Sequence, residues 1–348
     1  LKYIESINPE WINGIAYTRM VRLNLLRSDG KTAAAVDTSV INLTAFPENP
    51  NGSRPNYLET SYDLLAGKYP SDMQDAVLVI DKYNRVNKAI LEELGFKTNV
   101  KSIGFDDILG IELKVIPNDV YYKKEGSIFI LNSDPNNLQE LYNNEKAVSL
   151  KITGIVRPSK DTEIPAIQPG IAFSDKLCLH FMEDAKNSAI VKEQQKADYN
   201  VLTGEPFRTS ESYTSTGGPL SIGSPSIGNP IGAPMGTSPQ PAVVKKDTVL
   251  STLGADSIPY MISIYPVNFE YKDLVLEYLD AWNEDKKDDD KIVYTDLAGT
   301  ITDLSGGIMR AITLVLIGFS ATSLVVSLIM IGIITYISVL ERTREIGL

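Results

Sequence analysis

The residues best suited to chemistry in this chain are its single cysteine, Cys178, and its single histidine, His180. A thiol and an imidazole together can act as a nucleophile and its base. The sequence around them has a helical pattern with Ser174 as its N-cap, and side chains two positions apart on a helix point to different faces. The spacing therefore favours a packed thiol and an ordinary surface or half-buried histidine. So few Cys and His residues also exclude a zinc site, unless carboxylates supply nearly all of the ligands.

Gly30, Lys31 and Thr32 resemble the end of a phosphate-binding P-loop. That motif needs a second glycine five positions before Gly30, where this chain has Leu25, and it must lead into a helix. Asp29 and Gly30 instead form the dipeptide favoured in tight hairpins, and an alternating strand pattern over residues 21–25 precedes them. The sequence therefore predicts no machinery for hydrolysing ATP in this chain.

An acidic run at residues 284–290 invites a comparison with calcium-binding loops. It lacks the ligand spacing and the glycine of an EF-hand, so a solvated loop is the favoured interpretation. We therefore predict that this chain has no catalytic residue, binds no cofactor or metal ion of its own and is not an enzyme.

Composition and charge limit the class of protein. The chain has 348 residues and a net charge of −11, with an isoelectric point near 4.8. A nucleic-acid-binding protein needs a basic surface, so that class is excluded. The first residue is Leu1 rather than Met, which predicts a fragment or a processed product.

An uncharged run at residues 311–340 predicts a transmembrane helix. No Asp, Glu, Lys, Arg or His occurs between Ala311 and Leu340. As a helix this run would be about 45 Å long, whereas the hydrocarbon core of a bilayer is about 30 Å thick. A buried core helix is the alternative, but such helices rarely continue without a charge over this length.

The residues before the membrane run predict an α+β fold. Strand patterns occur at residues 77–80, 111–115, 128–131 and 150–156, and amphipathic helices at residues 86–94 and 173–198. A strand at 261–265, a helix at 269–282 and a strand at 291–294 form a βαβ unit of the size found in ferredoxin-like folds. Residues 208–244 are rich in Gly, Ser, Thr and Pro, which predicts a flexible loop.

These patterns divide the chain into successive segments. Residues 1–100 form the first part of a ferredoxin-like lobe, and residues 101–207 form a β-rich inserted lobe with helices. After the flexible loop at 208–244, residues 245–296 complete the first lobe. A stalk helix at 297–310, the transmembrane helix at 311–340 and a charged segment at 341–348 follow.

Two sets of side chains on the predicted stalk and membrane helix are suited to packing. The stalk carries an apolar stripe with heptad-like spacing, which predicts packing against another element; it consists of Leu297, Ile301, Leu304 and Ile308. Small residues in the membrane run could permit close approach of another helix, although such residues are common in any membrane helix. They are Gly318, Thr322, Ser323, Ser327 and Gly332.

The end of the chain resembles a known family. Residues 331–348 are similar to the second transmembrane helix and following segment of MacB/FtsX-like ABC-transporter permeases, in which a Glu-Arg-Thr-Arg/Lys-Glu-Ile-Gly string enters the cytoplasm. Three upstream stretches resemble the extracytoplasmic, porter-like domains of Gram-positive members. They are Leu-Ala-Gly-Lys-Tyr-Pro at 65–70, Lys-Ile-Thr-Gly-Ile-Val-Arg-Pro at 151–158 and Tyr-Thr-Asp-Leu-Ala-Gly-Thr at 294–300.

The resemblance implies a permease subunit in a bacterial cell membrane, with residues 1–310 extracytoplasmic and residues 341–348 cytoplasmic. Such permeases have four transmembrane helices, form dimers with a second permease copy, and bind cytoplasmic ABC ATPase subunits that hold Mg-ATP. The residues implied to couple to the ATPase are Glu341, Arg342, Thr343, Arg344, Glu345, Ile346, Gly347 and Leu348. The alternative is that Arg342 and Arg344 only anchor the helix in anionic headgroups.

Three functions stay open from the sequence. The first is export of, or resistance to, antimicrobial peptides, macrolides or similar amphiphiles, with a membrane-fusion-type protein as a further partner. The second is an FtsX-type regulator whose outer domain activates a cell-wall hydrolase. The third is a surface-anchored binding module that resembles a permease only locally.

Overall fold

The computed structural model describes residues 1–50, 57–134, 138–160, 162, 165–207 and 245–347. The predicted flexible loop at 208–244 therefore lies outside the described residues. The chain divides into two compact units, Leu1–Tyr278 and Leu279–Leu348. The first unit has mixed α and β structure, and the second consists mainly of one long helix.

The first unit contains short helices and strands that alternate along the chain. Its strands are β1 (Ile12–Thr18), β2 (Leu25–Ser28), β3 (Ala33–Ala35), β4 (Thr44–Ala45), β5 (Tyr62–Gly67), β6 (Asp75–Val79), β7 (Glu112–Val115), β8 (Tyr122–Glu125), β9 (Ile128–Leu131), β10 (Val148–Pro158), β11 (Gly170–Phe173) and β12 (Met261–Pro266). Its helices are α1 (Lys2–Glu5), α2 (Tyr57–Ser61), α3 (Lys88–Glu93), α4 (Phe105–Ile108), α5 (Asn118–Tyr121), α6 (Gln139–Tyr142), α7 (Asp175–Ala185), α8 (Ala189–Lys196) and α9 (Lys246–Thr252). A further helix, α10 (Phe269–Asn283), follows β12.

A mixed eight-stranded sheet dominates the first unit, with the order β3-β2-β7-β10-β6-β11-β4 and with β5 also paired to β10. The long strand β10 lies at its centre. One edge of β10 pairs with β6 in parallel, and the other pairs first with β7 and then with β5, both antiparallel. The strands predicted at 111–115 and 150–156 therefore share a sheet with β2 and β6, whereas the one predicted at 128–131 is β9, which pairs with β8 in a separate two-stranded sheet.

Two glycines allow β5 and β10 to approach closely. Gly67 and Gly154 lie directly opposite each other in the pairing. A Cβ on Gly67 would overlap the Thr153 carbonyl, and one on Gly154 would overlap the Lys68 carbonyl. Gly67 also has a φ of +76°, which residues with a Cβ rarely adopt. Residues 65–70 and 151–158 are thus neighbours in the sheet.

Both faces of the central sheet are covered. On β6, Ala76 and Leu78 belong to one apolar cluster, while Val77 and Val79 belong to another on the opposite face. This placement follows from the two-residue period of a strand, and it explains why residues 77–80 form an uninterrupted apolar run. The first cluster also receives the buried side of α7, including Phe181 and Met182.

Caps define the boundaries of several helices, and the predicted N-cap at Ser174 is confirmed. The Asn87 side chain accepts the Ala89 N–H at the start of α3, and Gly95 follows that helix with a φ of +97°. The Ser174 side chain accepts the Lys176 N–H at the start of α7. The predicted helix at 173–198 is in fact two helices, because α8 begins anew after Ser188.

The strand predicted at 21–25 is mostly wrong. Residues 21–24 are not in a strand, and β2 begins only at Leu25. Asn24, which the alternating pattern placed in solvent, is buried with a 7% exposed fraction. Its amide donates to the Ile116 carbonyl at 3.1 Å and to Asn118 Oδ1 at 3.0 Å. These hydrogen bonds to residues far along the chain satisfy the buried Asn24 amide, although the local alternation of the sequence predicts that Asn24 is exposed.

The predicted βαβ unit is not formed. β12 pairs antiparallel with β1, close to the N-terminus, and residues 291–294 are not a strand. Within the second unit, the Asn283 side chain donates to the Ile292 carbonyl at 2.9 Å and accepts the Ile292 N–H at 2.7 Å. The Asn283 amide is therefore hydrogen-bonded to the backbone N–H and C=O of Ile292, which in a strand would pair with a neighbouring strand.

The second unit contains the long helix α11 (Leu297–Ile346). Asp296 caps it by accepting the Gly299 N–H at 2.8 Å, and a Cβ at Gly299 would overlap the Asp296 carboxylate. Residues 294–300 thus contain the N-cap and the first turn of this helix. The acidic run before it forms an exposed 3₁₀ turn at Asp288–Asp290, and the described residues contain no group of side chains that could hold a metal ion.

Candidate functional site: the long apolar helix and its flanks

Helix α11 carries the whole predicted membrane run without a break. Its 50 residues correspond to about 75 Å at 1.5 Å per residue. Apolar side chains project outward over its length, with exposed fractions of 73% for Leu314 and 68% for Phe319. Against the described residues, this segment is therefore not buried in the way that a core helix would be. It is the one helix among the described residues that is long and apolar enough to cross a membrane.

The predicted stalk stripe lies on the first turns of α11. Leu297, Ile301, Leu304 and Ile308 are 69%, 43%, 66% and 55% exposed. At 3.6 residues per turn, spacings of four, three and four place them along one face. Gly306 and Gly307 do not interrupt the helix, so the stripe is continuous and exposed.

The small residues of the membrane run do not form a single face. A rotation of about 100° per residue places Gly318, Thr322 and Gly332 within about 40° of one direction. Ser323 and Ser327 lie on the roughly opposite side. The predicted set therefore splits into two, and only the first group makes a flat strip of the type that admits a neighbouring helix.

The charged segment at the end of the chain continues the helix. α11 extends to Ile346, so Glu341, Arg342, Thr343, Arg344, Glu345 and Ile346 are helical, and Gly347 is the C-cap. Glu341 and Arg342 are exposed; the side chains of residues 343–346 and Leu348 lie outside the described part. The stalk, the apolar run and the charged segment are thus parts of one helix.

The structure separates the two residues best suited to chemistry, Cys178 and His180. Cys178 is buried against the sheet while His180 is exposed, so α7 separates the two side chains as its spacing predicts. Burial, assisted by the charge of Asp175, raises the pKa of the Cys178 thiol to about 12. A thiol with this pKa is neutral near pH 7 and is a poor nucleophile.

The segment that resembles the end of a P-loop, Gly30 to Thr32, forms part of a turn. Residues 29–32 connect β2 and β3, and Asp29 Oδ1 accepts the backbone N–H groups of Lys31 and Thr32 at 2.9 and 2.7 Å. Hydrogen bonds from Thr32 and Lys31 lower the pKa of Asp29. Backbone N–H groups of the kind that bind phosphate in a P-loop therefore donate to the chain's own carboxylate here.

Sequence reasoning missed a buried ion pair in the first unit. Arg19 Nε and Nη2 donate to the two carboxylate oxygens of Asp175, each at 2.7 Å, and Arg19 Nη1 donates to the Ser257 carbonyl. The two side chains are 5% and 11% exposed. No local signal could have paired residues so far apart in the sequence.

No protein-family model matches this chain, and no curated protein or solved structure is significantly similar to it. The assignment of a function therefore depends on the sequence of residues 331–348 and on the geometry of helix α11, which contains most of them.

Proposed function

We propose that this chain is the outer domain and second transmembrane helix of a MacB/FtsX-like ABC-transporter permease. The proposal places it in a bacterial cell membrane, with residues 1–310 outside and residues 341–348 in the cytoplasm. Its partners would be a cytoplasmic ABC ATPase that holds Mg-ATP and a second permease copy. In this role the chain performs no catalysis and transmits motion.

The continuity of α11 is the observation that carries the proposal. One helix contains the exposed stalk stripe, the uncharged run and the Glu-Arg-Thr-Arg-Glu-Ile string. The helix is about 75 Å long and the hydrocarbon core is about 30 Å thick, so it extends well beyond the core. A soluble partner at one membrane face can therefore shift a structure at the other face through a single rigid element.

A rigid helix transmits a signal only if each of its ends has two alternative packing arrangements. At the outer end, the stripe Leu297–Ile308 offers an apolar face for a second helix, such as the same stripe in a second copy. At the inner end, Glu341 and Arg342 are exposed and of opposite charge, which suits contact with a soluble subunit. The movement would serve export of, or resistance to, peptides or other amphiphiles.

The porter-like architecture belongs to the same proposal. The strand expected at 291–294 is absent among the described residues of that region, but β1 and β12 still bring the beginning of the first unit beside its end. This two-stranded ribbon of β1 and β12 would belong to the porter-like lobe of the outer domain.

A double charge reversal tests the coupling. In the full-length permease with its ATPase, Arg342→Glu with Arg344→Glu should abolish or strongly reduce ATP-dependent transport or resistance and weaken co-purification of the ATPase. Expression, membrane insertion and folding of the outer domain should not change. The matched control is Lys286→Glu with Lys287→Glu, an equal charge change in the exposed loop after α10, which should leave transport unaltered.

Two results would contradict the proposal. If the Arg342/Arg344 reversal leaves both transport and ATPase association unchanged, these arginines only anchor the helix at the membrane surface. If both double reversals reduce transport equally, the effect reflects net charge and does not locate the contact. Because coupling is reciprocal, the nucleotide state must also alter the affinity of the outer domain for its partner, and the reversal should remove that dependence.

A further inference from the structure

A half-open cleft of about 410 Å³ lies in the first unit. Ligand pockets have volumes of about 300–1,000 Å³, so this cleft is at the small end and suits a molecule of amino-acid size. Its apolar wall includes Leu25, Val36 and Leu131. Leu25 and Val36 are buried, and Val36 donates its N–H to the Leu25 carbonyl at 2.9 Å. The hairpin of β2 and β3 therefore holds Leu25 and Val36 in place, and Leu131 is the last residue of β9.

Hydrogen-bond donors line part of the cleft. Arg22 and Tyr121 both line it, and neither the guanidinium nor the Tyr121 hydroxyl has a hydrogen-bond or ion-pair partner among the described residues. The Tyr121 and Tyr122 rings pack edge to face at 4.9 Å between centroids, which fixes the Tyr121 ring. Burial raises the pKa of the Tyr121 hydroxyl, although the nearby charge of Arg22 opposes this effect. The hydroxyl therefore remains a donor beside a positive charge.

Two carboxylates, those of Asp37 and Glu93, also line the cleft. Glu93, at the end of α3, accepts the Asp37 N–H at 3.1 Å through Oε2. Asp37 Oδ1 accepts the N–H and hydroxyl of Ser39 at 2.9 and 2.7 Å. Hydrogen bonds from Ser39, followed by the charge of Arg22, lower the pKa of Asp37. Asp37 is therefore ionised near neutral pH, and backbone contacts hold both carboxylates at the edge of the cleft.

We propose that this cleft binds a free α-amino acid with an apolar side chain. The ligand carboxylate would accept from Arg22 and Tyr121, and its ammonium group would donate to Asp37 and Glu93. Its side chain would lie against Leu25, Val36 and Leu131. Hydrogen-bond donors, carboxylates and apolar side chains within one small cleft match the three parts of such a molecule.

Calorimetric titration of the full chain in lipid nanodiscs tests this inference, with L-leucine as the probe. L-Leucine should bind with 1:1 stoichiometry. Leucinamide, which lacks the carboxylate, and N-acetyl-leucine, which lacks the ammonium group, should each bind at least about tenfold more weakly, because each loses a charge-assisted hydrogen-bond set. Glycine, which lacks the apolar side chain, should also bind more weakly.

Two substitutions locate the binding site. Arg22→Gln and Tyr121→Phe should each weaken L-leucine binding, Arg22→Gln by about tenfold or more. Arg85→Gln, which removes an arginine from the exposed β6–α3 loop, should leave the affinity unchanged. Circular dichroism of each variant should match that of the unaltered chain, because Arg22 is exposed and Tyr121→Phe keeps the packed ring.

The inference is overturned if L-leucine does not bind at millimolar concentration, if leucinamide and N-acetyl-leucine bind as tightly as L-leucine, or if Arg22→Gln and Arg85→Gln have equal effects. These readouts are independent of the ATPase and of helix α11. A failure here would leave the proposed role in a permease untouched, and a failure of that role would leave this cleft unaffected.

Discussion

The buried pair of Arg19 and Asp175 connects distant parts of the first unit. Arg19 follows β1, Asp175 begins α7, and the Ser257 carbonyl that accepts from Arg19 precedes β12. The guanidinium also lies over the Tyr17 ring, with 5.4 Å between its central carbon and the ring centroid. A charge with these contacts tolerates burial because each donor has a fixed acceptor.

Replacing one partner of this pair should be strongly destabilising. Asp175→Asn leaves Arg19 buried without a compensating charge, and we expect the free energy of unfolding to fall by about 3–5 kcal/mol. Asp63→Asn is the matched control, because Asp63 and its partner Arg157 are 46% and 29% exposed at 3.5 Å, and exposed pairs contribute about 0–1 kcal/mol. Denaturant unfolding in detergent measures both, and equal losses would contradict the interpretation.

Cys178 should react only when the first unit opens. Its pKa in the folded chain is about 12, against about 8.5 for an unfolded thiol. Because the folded pKa is raised, the stability from burying the neutral thiol is complete below about pH 8.5 and declines as pH rises toward 12. We expect iodoacetamide to label Cys178 slowly at pH 8 without denaturant and rapidly in denaturant. Rapid labelling of the folded chain would show that the thiol is accessible.

At the scale of elements, local signals in the sequence predicted the positions of many of the strands and helices. Strands β6, β9 and β10 and helices α3, α7 and α10 occur where period and caps predict them. Pairing could not be predicted, because the neighbours of β10 and β1 are set by residues far away in the sequence. The strand predicted at 291–294 does not form for a related reason, since the Asn283 side chain is hydrogen-bonded to the backbone N–H and C=O of Ile292.

The close approach of β5 and β10 should make Gly67 intolerant of a side chain. Gly67→Ala adds a Cβ that meets the Thr153 carbonyl, in addition to the strain of a φ of +76°. Gly126 is the matched control, since its φ is +61° but nothing lies within 4 Å of its Cβ position. We expect Gly126→Ala to cost about 1–2 kcal/mol from backbone strain, and Gly67→Ala about 1–3 kcal/mol more from overlap. Thermal unfolding compares them, and equal midpoints would refute the steric argument.

The flanks of residues 208–244 should make that segment replaceable. Lys246 Nζ donates to the Gln195 carbonyl at 2.8 Å, and Val201 and Val249 belong to one apolar cluster. The two ends therefore lie close together, and loop-closure entropy changes by only about 0.6 kcal/mol for each halving of length. We expect a short linker in place of residues 210–240 to shift the thermal midpoint by no more than a few degrees. A collapse in stability would mean that the segment packs.

At the scale of the whole molecule, the apolar run and its continuation as one helix were predictable from the sequence alone. The absence of charge between Ala311 and Leu340 and the periodic stripe before it determine a helix regardless of partners. The candidate site could be predicted to the same extent, because its residues are consecutive on that helix. The cleft at Arg22 and Tyr121 could not, because three distant segments form it.

The orientation of α11 in the membrane can be measured with little background, because the chain's single cysteine is buried. We expect a membrane-impermeant maleimide to label Thr302→Cys on intact cells, and to label Glu341→Cys only after lysis. Both positions are exposed on the helix, so detergent-solubilised samples, in which both should react, provide the control. Labelling of Glu341→Cys on intact cells would reverse the proposed topology.

The pairing of β1 with β12 has a consequence for biosynthesis. Thr18 pairs with Met261 and Ile12 with Pro266. Strand β1 therefore cannot pair until β12 has been synthesised, roughly 250 residues later. At translation rates of about 5–20 residues per second, this delay is on the order of 10–50 s. The ribbon can close only shortly before Leu297 and the apolar helix are made. A nascent chain interrupted before residue 261 therefore presents an unpaired strand edge, which is the kind of surface that leads to aggregation.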